Sequence, residues 1–169
     1  MNSAQDSAAA QFDALLVALR PSLHRYCARM VGSAIDGEDV LQDALIKAVE
    51  SFPGAEPIQN PQGWLFRIAH NAALDFLRRR QRQEALRSVE EADMIADRID
   101  EVTRRQIAAT SLRTFMRLPV AQRSAIVLHY VEDFSLEEIA GITGTNVGTV
   151  KSRLHYGKHA LRRLLEEAP

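Results

Sequence analysis

Apolar residues recur every three or four positions along most of this chain, the spacing of amphipathic helices. Phe12, Leu15, Leu16 and Leu19 form one such stripe. Leu23, Tyr26, Cys27, Met30 and Val31 continue it past Pro21, which either kinks one helix or starts a second. Gly32 to Gly37 reads as a turn, with Asp36 placed to cap the next helix and Glu38 and Asp39 in its first turn. That helix has Val40, Leu41, Ala44, Leu45, Ala48 and Val49 as its apolar face and ends near Phe52-Pro53. Two prolines and a glycine mark residues 53–60 as a loop. Asn60-Pro61 then supplies an N-cap and an N1 proline, and Leu65, Ile68, Ala69, Ala72, Phe76 and Leu77 form the buried stripe of a third helix.

After an interval poor in large apolar residues, the period resumes near Thr103 with Ile107, Leu112, Phe115, Met116 and Leu118. Pro119 begins another helix, with Ile126, Val127 and Tyr130 inward. Ser135-Leu136-Glu137-Glu138 is a capping box opening a short helix; Gly144 follows, and a last helix runs from about Val147 to Glu166. No internal repeat and no strand is predicted. The pattern therefore predicts an all-α protein of two small helical domains, residues 8–83 and 104–167, joined by a flexible acidic linker over 84–103.

Composition agrees with helices. Aromatic residues make up 6% of the 169 residues, and the 8 glycines and 6 prolines are too few for a sandwich of many short strands. Cys27 is the sole cysteine, which excludes an intrachain disulfide and a multi-cysteine zinc site. No apolar run approaches the roughly 20 residues that span a bilayer, and the first eleven residues lack the cations of a secretory signal. A cytoplasmic protein without membrane insertion is expected.

The net charge of −1 argues against a nucleic-acid partner until its distribution is considered. Between Gly63 and Arg82, Arg67, Arg78, Arg79, Arg80 and Arg82 face one acid, Asp75. Between Val147 and Leu165, Lys151, Arg153, Lys158, Arg162 and Arg163 face none. The intervening stretch from Glu84 to Glu101 holds seven acids and two arginines. Two basic surfaces flank an acidic strip.

The segment Leu136 to His155 (LEEIAGITGTNVGTVKSRLH) fits a helix-turn-helix on steric grounds. Ala140 is small enough for the helices to cross there, and Gly144 suits a turn needing positive φ. Ile139, Val150 and Leu154 supply the small core. Thr149, Lys151, Ser152, Arg153 and His155 lie on the exposed face of the second helix, donors and cations suited to phosphates and base edges. The plainer alternative is a helical hairpin with a solvated basic face. The pattern by itself does not separate a repressor from other helix-turn-helix proteins.

On the third helix, Trp64, Arg67, Asn71, Asp75 and Arg78 recur at i+3 or i+4 and share one stripe opposite the buried one. An aromatic, an amide and arginines together suit a partly opened DNA strand. Trp64, beside Leu65, is equally suited to the core. On the second helix, Asp39, Gln42, Asp43 and Glu50 offer acceptors to a basic partner, or simply a solvated acidic face. His155 and His159 are four apart, but no third ligand or H-E-x-x-H glutamate accompanies them, so no metal or other cofactor is expected. No serine triad, paired carboxylates or P-loop appears, and Cys27 sits on an apolar stripe; no enzymatic activity is expected.

Asp39 to Phe52 (DVLQDALIKAVESF), Gly63 to Asn71 (GWLFRIAHN) and Arg78-Arg79-Arg80 closely resemble region 2 of extracytoplasmic-function sigma factors. Leu118 to Leu165, with GTVKSRL at Gly148 to Leu154, resembles their region 4, and the likeness covers about nine tenths of the chain. The resemblance implies a sigma factor that binds bacterial RNA polymerase core and directs it to promoter DNA. It implies that Asp39, Val40, Gln42, Asp43, Ile46, Lys47 and Glu50 meet the β′ clamp helices. It assigns Trp64, Arg67, Asn71, Asp75, Arg78 and Arg79 to the −10 element, with loop 53–62 where the family captures a flipped base. Thr149, Lys151, Ser152, Arg153 and His155 fall to the −35 element. Asp75 departs from the family, since an uncharged side chain would be less repelled by phosphate, and Tyr156 stands where many relatives have arginine. An anti-sigma factor is the further expected partner, and the acidic linker is expected to mimic RNA in a basic polymerase channel. Two other readings are a stand-alone helix-turn-helix regulator and a sigma-like decoy for an anti-sigma protein. If the two domains pack together in the free protein, their basic stripes are expected to be partly buried.

Overall fold

A computed structural model describes residues 3–54, 56–84 and 101–167. The acidic stretch within 85–100 and the RNA-mimic role expected of it lie outside the described residues. Among those described, every regular element is helical: α1 (Ser3–Val31), α2 (Ala34–Ser51), α3 (Pro61–Glu84), α4 (Glu101–Ala109), α5 (Leu112–Met116), α6 (Val120–Ile126), a π turn (Val127–Val131), α7 (Leu136–Thr143) and α8 (Val147–Glu166).

Pro21 does not divide the first helix; α1 continues through it. The residue whose carbonyl would have bonded to the missing N–H is Val17, which is 76% exposed, so water can take that acceptor. The turn after α1 is shorter than expected and Asp36 is not its cap. Ser33 Oγ accepts the Asp36 N–H at 3.2 Å, making Ser33 the N-cap and putting Asp36 in the first turn of α2. At the start of α3, Asn60 Oδ1 accepts the Gly63 N–H at 3.0 Å, as the Asn-Pro pair predicted. The capping box of α7 is formed in both directions between Ser135 and Glu138.

α1, α2 and α3 pack on one another around Leu23, Tyr26, Met30, Leu41, Leu65 and Phe66. Val49 departs from the expected apolar face of α2 and is 58% exposed. The C-terminal helices surround Ile107, Phe115, Leu118, Ile126, Leu128, Ile139 and Leu161. The two groups share one continuous core, because α5 and α6 lie against α1 and α7 lies against α3. A β-carbon at Gly32 (φ 82°) would sit 2.3 Å from Met116 Cγ, so this left-handed turn doubles as a seat for the C-terminal half.

Polar groups complete that contact. Arg123 is 3% exposed and donates to the Met30 carbonyl at the end of α1 and to the Leu118 carbonyl at 3.1 Å. Arg80 of α3 donates to the neighbouring Val31 carbonyl at 3.1 Å. Two cations thus satisfy carbonyls at the negative end of the α1 dipole. Arg25 pairs with the buried Glu132 carboxylate at 3.4 Å, and the Arg29 guanidinium lies 5.9 Å from the Phe115 ring centroid. Burial raises the Glu132 pKa against the pull of Arg25, and burial lowers that of Arg29.

Candidate nucleic-acid interface

Helix α3 buries Leu65, Phe66, Ala69, His70, Ala72 and Ala73 along one side. The opposite side exposes Arg67, Asn71, Asp75 and Arg78, which the helical period aligns as predicted, and Arg79 is exposed beside them. Packing of the two halves therefore leaves this stripe open, contrary to the partial burial expected for both basic stripes, whereas on α8 Thr149 and Arg153 are half-buried. The C-terminal helices meet α3 through the Phe66 side instead. Trp64 is half-buried and edge-on to Phe12, with centroids 6.1 Å apart, which places it at the margin of the core.

Asp75 is engaged within the protein. Its carboxylate accepts from Arg78 at 3.2 Å and lies 3.6 Å from Lys47 Nζ across the gap to α2. Arg79 reaches Asp43 of α2 at 3.9 Å. Helix α2 exposes Asp39, Gln42, Asp43, Lys47 and Glu50, and with them the apolar Ile46, 57% exposed. Val40 is 1% exposed and packs into the core beside Leu41. It supports the α2 surface from beneath and is not part of it, because its period matches the buried stripe.

In the helix-turn-helix, Gly144 caps α7 at φ 66°, and Asn146 Oδ1 accepts the Thr149 N–H at 2.8 Å to start α8. Val150 and Leu154 face inward; Lys151, Ser152 and His155 are exposed, while Thr149 and Arg153 are half-buried. Tyr156 is 41% exposed on the same helix. His155 and His159 have ring centroids 4.7 Å apart, yet His159 is buried, and among the described residues no group of three metal-ligating side chains forms.

Beneath the α3 stripe, Tyr26 Oη and His70 Nδ1 are hydrogen-bonded at 2.7 Å. Burial, with the positive charges of Arg153 and Arg78 behind it, brings the His70 pKa down to about 4. Burial also holds the Tyr26 hydroxyl protonated well beyond its usual range. Sequence reasoning missed this pair and also Arg123, Glu132 and Phe134. For Arg123 a signal existed: it stands three and four residues before Ile126 and Val127, in the inward register of that helix.

Residues 15–83 match the family Sigma-70 region 2, and residues 112–164 match Sigma-70, region 4. SigW of Bacillus subtilis, an ECF RNA polymerase sigma factor, is 30% identical over 88% of this chain and 85% of its own length. CarQ of Myxococcus xanthus, an RNA polymerase sigma factor, is 33% identical over 99% of this chain and 96% of its own. The sigma factor RpoE solved with the anti-sigma factor NepR from Bartonella quintana superposes with a TM-score of 0.71 at 26% identity. That match covers 94% of this chain and 99% of RpoE. CnrH, solved with the cytosolic domain of CnrY, has the same fold, with a TM-score of 0.64 at 24% identity over 98% of this chain and 94% of its own.

A region 2 helical body followed by a region 4 helix-turn-helix defines a class of transcription initiation factors. Within it, the chain belongs to the sigma-70 family, as an extracytoplasmic-function sigma factor.

Proposed function

We propose that this sigma factor docks on the polymerase β′ clamp helices through α2, reads the −10 strand through α3 and reads the −35 element through α8. The observation that carries the α2 assignment is the exposure of Ile46 and Val49, 57% and 58%, among Asp39, Asp43 and Glu50. Apolar side chains ringed by carboxylates suit a partner surface with an apolar centre and a basic rim. Asn71 and Arg67 on α3, and Lys151, Ser152 and Arg153 on α8, supply the amide, hydroxyl and cationic groups that read bases and hold phosphates.

Bond-making stays with the polymerase, and the sigma chain contributes binding. No helix among the described residues is long and apolar enough to cross a membrane, consistent with work beside the chromosome in the cytoplasm. The complex of the RpoE relative with NepR supports an anti-sigma protein as a partner here too. The functional units we assign are residues 8–83 for polymerase and −10 contacts and 104–167 for −35 contacts, with 84–103 between them.

Transcription from fragmented genomic DNA by core polymerase, with and without this chain, tests the assignment. Discrete new start sites are expected, reduced at least tenfold by Asn71→Ala or Arg153→Ala. Sequence-specific DNA binding by the chain alone, with no new transcripts, would favour a stand-alone regulator. Failure on every fragment would favour a decoy.

A further inference from the structure

Helices α2 and α3 enclose an open cleft of about 490 Å³ whose walls carry both signs of charge. Lys47, Arg78, Arg79 and Arg82 supply cations, Asp43 and Glu50 line the α2 side, and Asp75 lines the α3 side. Asp75 is central to this arrangement. One carboxylate oxygen takes the Arg78 guanidinium on its own helix, and the other faces Lys47 on the neighbouring helix. Asn71 and Arg67, on the same stripe one and two turns earlier, are exposed, and the ion pairs of Asp75 go to Arg78 and Lys47.

An anion held between a lysine and an arginine is the arrangement that a nucleic-acid phosphate would adopt there. We propose that Asp75 is a built-in counter-anion for the −10 surface. It occupies the place of a backbone phosphate between Arg78 and Lys47, so DNA engages these cations only by displacing it. The pairing of Lys47 with α3 assigns that lysine to this cleft and not to the clamp contacts that the resemblance implied. The inference rests on the assignment of α3 to the −10 strand and adds a specificity device to it. Phosphate contacts give affinity for any sequence, and an internal competitor lowers that shared background. Binding then depends more on the groups nearer the start of the stripe, Arg67 and Asn71, which keep their access to bases. Asp75 acts in this way without touching a base. All three members of the cluster are half or more exposed, so the competition costs the fold little.

The full-length chain, titrated with a labelled single-stranded oligodeoxynucleotide of mixed sequence across a salt series, tests this. Asp75→Asn should bind roughly three- to tenfold more tightly at low salt, with a log-log salt slope steeper by about 0.7, one more phosphate neutralised. Asp13→Asn, which changes net charge equally on exposed α1 surface, should give a smaller gain. The Asp75→Asn gain should vanish in an Arg78→Ala background. Unchanged thermal melting of Asp75→Asn would establish that the fold is intact. Unchanged or weaker binding by Asp75→Asn overturns the proposal. So does a gain equal to that of Asp13→Asn, or an effect confined to one base position of a −10 oligonucleotide, the signature of a base contact. If Arg78→Ala leaves binding untouched, the assignment of α3 fails and takes this inference with it.

Discussion

The ring of Phe134, just beyond the π turn, meets the ring of Phe66 on α3 edge-on, with centroids 4.8 Å apart. Both rings are buried, and they belong to the two separate sigma regions. The π turn and the left-handed Asp133 (φ 60°) that follows it redirect the chain so that Glu132 and Phe134 both turn toward the N-terminal half. This pair fastens the region 4 half to the region 2 half.

Removal of one ring should therefore loosen that attachment. Phe134→Ala is expected to lower stability by about 3 kcal/mol, the usual cost of deleting a buried aromatic side chain. It should also enlarge the radius of gyration seen by small-angle X-ray scattering. A stability loss with no expansion would show that Phe134 serves only its local core.

Because α3 and α8 are proposed to read two separate promoter elements, the closed arrangement, with a radius of gyration of about 15 Å for a compact chain of this length, is expected to open on a promoter. Fluorescence energy transfer between dyes on α3 and α8 should be high in the free chain and fall when core polymerase and promoter DNA are added. Constant transfer would mean that one body reads both elements without separating.

His70 gives the fold a dependence on pH. Its folded-state pKa, about 4, lies below the ordinary value of 6.5, so the unfolded chain binds more protons between these limits. Stability from the neutral imidazole is present above about pH 6.5 and is lost as pH falls toward 4, by on the order of 3 kcal/mol. Glu132 has a raised pKa and acts in the opposite direction, favouring the fold at lower pH. The test is therefore a difference: denaturant titrations of the native chain and His70→Gln from pH 7 to 4. The native chain should lose more stability on acidification, and parallel curves would contradict the account.

Cys27 is fully buried, and desolvation pushes its thiol up to about 12. A thiol-reactive reagent at pH 8 should leave the native chain almost unmodified and react in full once denaturant unfolds it. Rapid modification of the folded protein would show that α1 opens readily.

The helices, the caps of α3 and α7 and the helix-turn-helix were legible because each depends on local chemistry, whereas the cap of α2 was misread as Asp36 and is Ser33. Asn60-Pro61, the Ser135–Glu138 box and Gly144 all fix the backbone within a few residues. The alignment of Arg67, Asn71, Asp75 and Arg78 followed from the helical period. Contacts between the two halves were not legible, since Arg123 with the Met30 carbonyl and Phe134 with Phe66 join residues far apart in sequence. The π turn was hidden as well: one extra residue per turn shifts the register by an amount that no apolar pattern announced. Val40 was misplaced because a motif match names positions without regard to which side of the helix they occupy.

Association with core RNA polymerase tests the central claim most directly. Gel filtration with light scattering should show a one-to-one complex between the purified chain and core enzyme, and Ile46→Asp, on the exposed face of α2, should weaken it at least tenfold without lowering the melting temperature. The absence of any complex, or a complex indifferent to Ile46→Asp, would contradict the account.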